Sequence, residues 1–218
     1  MAIVTISRGT MSGGRIVAEC LAAMLGYPCV ASEILHEAAL ELGLPPDVVR
    51  EKFETTPGLW SRINNDRQIY LLAVRTALAD RCLEGGLVYH GIGGQFLLAG
   101  LPGVLRVRLI APLEKRIGYL TKAHHRMTRA AASSFIENVD RERQRWVKVQ
   151  FDADVNDPFL YDITINQRWL TVDTACVGIA DLATNPAYAM TPARRAQLQA
   201  FADRCHEQLD ARLRRTEV

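Results

Sequence analysis

Residues 2–17 read AIVTISRGTMSGGRIV, and this stretch limits the chain's options more than any other. Ala2–Ser7 is a short apolar run rich in β-branched residues, which predicts a buried strand. Gly9–Gly14 is a glycine-rich turn, and a helical pattern starts at Gly14. Strand, glycine loop and helix in that order build a cradle for phosphate, because the loop N–H groups and the helix N-terminus point at one anion. The spacing Gly9-x4-Gly14 is that of GxxxxGK[ST]. Arg15 stands where that pattern has Lys, and Ile16 where it has Ser or Thr. Arg15 keeps the positive charge and can bridge phosphates through its planar fork. Ile16 supplies no hydroxyl to a Mg²⁺ ion.

Ser7, Arg8, Gly9, Thr10, Ser12, Gly13, Gly14 and Arg15 are therefore the candidate phosphate-binding set. A plain helix-opening turn without a ligand is the bland alternative. A dinucleotide site is a second alternative: Gly9, Gly13 and Gly14 do not spell GxGxxG, but Glu33 sits where a ribose-binding acid belongs.

Strand-like and helix-like segments alternate along the chain, which predicts a parallel α/β sheet. The strands are read at Ala2–Ser7, Pro28–Ala31, Leu87–His90, Val104–Ile110 and Tyr161–Ile165. The first helix spans Gly14–Leu25 with Gly26 as its stop. Residues 32–56 read as two short helices broken at Gly43 and Pro45-Pro46, followed by a turn at Thr55–Gly58. A longer helix covers Asn65–Glu84, and residues 113–151 are helical and rich in Arg. Further helices are expected at Asp173–Ala183 and Thr191–Arg215, the last with Leu198, Phe201, Ala202, Cys205, Leu209 and Leu213 on one stripe. Residues 1–185 are read as one domain and 186–218 as a helical extension, whose stripe would suit the sheet, a homodimer or another partner.

The charge balance is only +2, which gives no sign of a nucleic-acid partner. No run of 18 or more apolar residues predicts a membrane span. The chain starts directly with a strand, and its five cysteines form no CxxC pair, so a cytoplasmic protein with buried thiols is expected.

Two further clusters could carry chemistry. Asp140-Arg141-Glu142-Arg143-Gln144-Arg145 lies in a segment, residues 114–148, with an excess of five positive charges. On a helix Asp140 and Arg143 share one face, and Arg141 and Arg145 another. Such a segment would serve as a lid over phosphates, or simply as a solvated, ion-paired helix. His90 and Gly91, at the end of the third strand, would face a ligand at the carboxyl edge of the sheet. A structural histidine is the alternative for His90. His124-His125 are adjacent and cannot share a helix face, which argues against a metal pair.

ITISRGTMSGGRIVAECLAAMLGYP, LVYHGIGGQFLL, LPGVLRVRLIAPLEKRI, DRERQR and DPFLYDITIN together resemble the cytidylate kinase-like family, a branch of the P-loop nucleoside monophosphate kinases. The branch tends to carry SGGR in its loop, as here. The resemblance covers about residues 2–180. It implies a P-loop kinase fold: a five-stranded parallel sheet flanked by helices, a monophosphate-binding helical insertion at residues 32–60, and an Arg-bearing lid at 122–151. It implies transfer of the γ-phosphoryl of ATP to CMP or dCMP with Mg²⁺. Gly9–Arg15 would hold the ATP phosphates, Asp140 and Arg143 the pyrimidine nucleotide, and Arg141 a phosphate in the closed state. Arg15, Arg141 and Arg143 are then the catalytic candidates, and Glu33, His90, Gly91, Asp140 and Arg143 the substrate-binding ones. No residue is assigned to the metal. At the end of the third strand the family pattern has an acid and a Gly-Arg pair, where this chain has Tyr89, His90, Gly91 and Ile92. A nucleotide-binding module without turnover is the second expectation, motivated by that departure.

Overall fold

The computed structural model describes residues 1–54 and 66–216. The turn expected at Thr55–Gly58 and the end of the 32–60 insertion lie outside the described residues. Five strands form one parallel sheet: β1 (Ile3–Arg8), β2 (Cys29–Val30), β3 (Leu87–Tyr89), β4 (Val104–Ile110) and β5 (Ile163–Asn166), in the order β2-β3-β1-β4-β5. β1 is central. It pairs Ile3 with Leu87 on one side and with Val104 on the other. The carboxyl ends of β1 and β3 therefore open side by side.

The helices are α1 (Gly14–Leu25), α2 (Glu33–Leu42), α3 (Pro46–Glu54), α4 (Asp66–Leu83), α5 (Gly94–Leu97), α6 (Leu113–Ala123), α7 (Arg129–Phe151), α8 (Val172–Thr184) and α9 (Pro192–Thr216). Side chains alternate across a strand, so β1 serves two cores. Ile3 joins Leu87, Tyr89 and Val104 in the cluster with α2, α3, α4 and α9. Val4 and Ile6 join Val88, Leu105 and Val107 in the cluster with α1 and α8. Gly26 ends α1 at φ 67°, and its N–H reaches back to the carbonyls of Ala22 and Ala23. The Arg-rich segment splits at residues 124–128, and the Thr128 hydroxyl caps α7 by accepting from the Ala131 N–H at 3.2 Å. The short helix α5 starts at Gly94, at the end of the glycine cluster that follows β3, where the sequence predicts only that cluster.

The apolar stripe of α9 is covered by the chain itself. Leu198, Phe201, Ala202, Cys205 and Leu209 belong to the same buried cluster as Val74 and Leu78 of α4. Burying one such large side chain contributes roughly 1.5–3 kcal/mol, while a whole domain is stable by only about 5–15 kcal/mol. Chain shortened to residues 1–185 is therefore expected to lose cooperative folding and to be recovered in the insoluble fraction. A soluble, cooperatively melting 1–185 protein would contradict this packing role. No helix among the described residues is long and apolar enough to cross a membrane.

Candidate functional site

The loop between β1 and α1 is held by its own backbone. The Gly9 N–H donates to the Leu109 carbonyl at 3.3 Å, fastening the loop to β4. The Ser12 hydroxyl and N–H both donate to the Gly9 carbonyl, at 2.8 and 3.2 Å. Gly13 precedes α1 at φ 76°, a conformation that glycine adopts without steric cost. Its missing Cβ would lie 3.1 Å from Gln167 Oε1, so the end of β5 approaches the loop closely. Gln167 is buried, and its Nε2 has no partner among the described residues. Met11 also has a left-handed backbone, φ 58°, which costs a non-glycine residue of order 1 kcal/mol. Its side chain packs on Ile117, Leu120, Ala132 and Ile136 between α6 and α7. The loop is thus anchored to the base of the Arg-rich hairpin.

The hairpin also reaches the loop through polar groups. The Thr10 N–H donates to Asp140 Oδ1 at 2.8 Å. Arg116 of α6 bonds Asp140 Oδ2 at 2.5 Å and the Thr10 carbonyl at 3.2 Å. Arg143 Nη1 donates to the Thr10 hydroxyl at 3.2 Å. Burial alone would raise the Asp140 pKa. The Arg116 bond and the Thr10 N–H outweigh that and hold its carboxyl below the ordinary range. Asp140 thus occupies a loop N–H of the kind that would face a phosphate oxygen.

On the other side of the loop, Arg8 Nη1 donates to the His90 carbonyl at the end of β3. Glu33, at the start of α2, accepts from the Ala31 N–H at 2.7 Å. Burial would raise the Glu33 pKa, but that N–H and the residue's own hold it lowered. Between these elements lies a cavity of about 640 Å³. Ser7, Arg8, Gly9, Arg15, Glu33, His90, Gly91, Asp140 and Arg143, all expected from sequence, line it. Thr10, Ser12, Gly13 and Gly14 form the loop behind that wall, with Thr10 and Ser12 buried. Arg15 is exposed at the rim, where its Nε bonds Glu19 at 2.7 Å, and that bond raises its pKa. Arg141 lies on the outer face of α7, exposed and bonded to Asn138 at 3.1 Å.

The sequence reading did not single out Arg108 or Arg116. Arg108 on β4 is buried and donates to Ser7 Oγ at 2.8 Å and Asn156 Oδ1 at 3.3 Å. Two arginines alternating in VLRVRLI were the available signal, since a charge on the inward side of a central strand needs a polar partner.

His90 is 8 % exposed, and its Nδ1 has no partner among the described residues. Burial, then the charge of Arg8, lower its pKa, while Glu33 opposes them. The fold therefore favours the neutral ring. Its contribution to stability is full above the ordinary histidine pKa of about 6.5 and is lost as pH falls through that value toward the lower folded one. Asp140 acts in a separate window, below about 4, where its depressed carboxyl protonates. The melting temperature is expected to fall between pH 7.5 and 5.5, and to fall less in His90→Gln. Equal falls in both proteins would contradict the assignment.

Comparison with known proteins identifies the family and the fold. The profile of the cytidylate kinase-like family matches residues 3–168. A cytidylate kinase of Pyrobaculum aerophilum is 25% identical over 177 residues, covering 80% of this chain and 89% of the relative. Among solved structures, an uncharacterised protein from Eubacterium ventriosum superposes with a TM-score of 0.63 at 21% identity, covering 84% of this chain and 97% of the other. A gluconokinase from Sinorhizobium meliloti gives a TM-score of 0.50 at 20% identity, covering 84% and 93%. The two structures share the fold of five parallel strands flanked by helices. The family match spans most of the chain, and with it the loop, the end of β3 and the α6–α7 hairpin: this protein belongs to the cytidylate kinase-like family.

Proposed function

We propose that this protein transfers the γ-phosphoryl of ATP to a nucleoside monophosphate, with CMP or dCMP as the acceptor. The observation that carries the reading is the contact of the lid helix with the glycine loop, Arg143 and Asp140 on Thr10, at the edge of a cation-lined cavity. Phosphoryl transfer needs little covalent help from a protein; it needs alignment and positive charge around the moving group. Gly9–Gly14 would offer N–H groups to the donor phosphates, as α1 offers its N-terminus. Asp140 holds one of those N–H groups and would be displaced by a phosphate oxygen. Arg143, Arg108 and Arg116 then surround the transferred group. Mg²⁺ fits as an ion carried on the phosphates: the nearby oxygens are single ones, such as the Asp140 carboxylate, which suits an ion that keeps several waters. When bound, it would neutralise charge on the phosphoryl oxygens.

A coupled assay over a panel of nucleoside monophosphates with ATP tests this reading. Turnover is expected, fastest with CMP or dCMP; none with any acceptor at high enzyme concentration would sink it. The end of β3 favours a second reading, a nucleotide-binding module without turnover. Tyr89, His90, Gly91 and Ile92 supply no carboxylate there, and the Tyr89 hydroxyl is bonded to the Ile92 carbonyl at 3.3 Å. Calorimetric binding of ATP and CMP without product formation would select it.

A further inference from the structure

The helix that opens at the glycine loop, α1, is packed against α8. Their seam is built from small side chains. Ala18 and Ala22 of α1 share one buried cluster with Ala175, Ala180 and Ala183 of α8, so the two helices approach closely. Cys20 and Cys176 meet in this seam. The Cys176 thiol donates to the Val17 carbonyl at 3.4 Å. Cys20 follows Val17 by three residues and so lies beside it on one face of α1. The two thiols are hydrogen-bonded to each other, and both are free. They differ in access: Cys176 is fully buried, Cys20 half-buried. Burial, then the bond to Cys20, pushes the Cys176 thiol up to about 12, so it keeps its proton near neutral pH. Cys29 is half-buried as well, but burial and then Glu19 and Glu33 push its thiol up, which disfavours the reactive thiolate. Neither Cys20 nor Cys176 lines the 640 Å³ cavity, so their chemistry is separate from the nucleotide site.

We propose that Cys20 and Cys176 form a peroxide-sensitive pair: a hydroperoxide oxidises Cys20, and Cys176 converts the product into a disulfide that staples α1 to α8. With hydrogen peroxide, the Cys20 sulfur attacks one peroxide oxygen and the O–O bond breaks. Cys20 becomes a sulfenic acid, and its proton leaves with the second oxygen as water. The Cys176 sulfur then attacks the Cys20 sulfur. The S–O bond breaks, and the Cys176 proton leaves with the hydroxyl as a second water. Two thiols lose two electrons in all, and one peroxide gains them. The protonated Cys176 is a weak nucleophile, and contact with its target compensates, because the attack is intramolecular. The disulfide closes most of the chain into one loop, which restricts the unfolded ensemble and fixes the helix that presents the glycine loop. A dithiol reductant reverses it by exchange.

Treating the folded, reduced protein with hydrogen peroxide, alkylating it and digesting it without reduction for mass spectrometry tests this. A peptide linked through Cys20 and Cys176 is expected as the main product, and dithiothreitol should return both thiols. The oxidised protein should melt about 5 °C or more above the reduced one. Cys176→Ser should stop at the sulfenic acid of Cys20, trapped by dimedone, and should gain no melting temperature from peroxide. Cys20→Ser should leave Cys176 reduced after the same exposure. Cys20→Ser carries the test if Cys176→Ser, which buries a hydroxyl, fails to melt cooperatively. Cys20 linked to any other cysteine, or to a second chain, would overturn the pair. So would Cys20 oxidised while Cys176 remains open to alkylation after unfolding, or Cys20 left intact by peroxide that oxidises the unfolded chain. A linked protein that melts below the reduced one would overturn it too, because the folded seam would then not accept the bond.

Discussion

Arg143→Ala is expected to lower kcat/KM by about 10²–10³-fold, the usual effect of removing one preorganised donor from a developing charge. Arg143 stands on α7 with its guanidinium turned to the loop, 3.2 Å from the Thr10 hydroxyl. Burial lowers its pKa, Asp140 and Glu54 raise it, and Arg108 lowers it again. It remains charged near neutral pH, because an arginine starts far above that range. Its charge therefore faces the space where phosphoryl oxygens would gather. Arg143→Lys should recover little, since a point charge cannot reproduce a planar fork. Steady-state kinetics with ATP and CMP varied in turn would check this. A loss under about threefold would remove Arg143 from the catalytic machinery, because that is far below one donor's worth.

Trp146→Ala is expected to destabilise the protein by about 3–5 kcal/mol, the range for a large aromatic removed from a core. Trp146 is 2 % exposed on α7. Its indole N–H donates to the Phe53 carbonyl of α3 at 2.6 Å. Its ring meets Phe53 edge-on at 5.3 Å and Phe151 at 5.5 Å between centroids. The missing Cβ of Gly93 would lie 3.1 Å from it, so the glycine cluster after β3 closes the cage. One side chain thus joins α7, α3 and the glycines that follow β3. Truncation would leave a void and an unpaired carbonyl. In a chain of this size each kcal/mol shifts the melting temperature by about 2–4 °C, so a fall of roughly 10 °C is expected by calorimetry. Trp146→Phe should fall in between, since it keeps part of the packing but not the donor. A fall below about 2 °C would contradict the role.

Much of this architecture was legible because its elements announce themselves locally. Gly26 and Gly43 each follow a run at helical spacing, and both end a helix in the left-handed region. Val104–Ile110 reads as a buried β-branched run and is β4. The loop was legible from three glycines among hydroxyls. What stayed hidden depends on contacts between distant residues. The stripe of α9 says that one face is buried, not what buries it; α4 does. Arg116 reads as an ordinary first-turn arginine until the fold brings Asp140 to it across the hairpin. In the DRERQR run, helical spacing separates Arg141 from Arg143 by about 200°, so they face opposite ways. In the structure Arg143 lines the cavity and Arg141 bonds Asn138 outside. Its place in the chain groups Arg8 with the loop. Only its path beneath Gly14 shows that it ends at β3.

Phosphoryl transfer between nucleotides would take place at the junction of the loop, the end of β3 and α7. Incubation with ATP labelled at the γ-phosphoryl and each nucleoside monophosphate tests it most directly. Labelled nucleoside diphosphate is expected, formed fastest from CMP or dCMP and lost in Arg143→Ala. Label that stays in ATP with every acceptor, at enzyme concentrations equal to substrate, would contradict it.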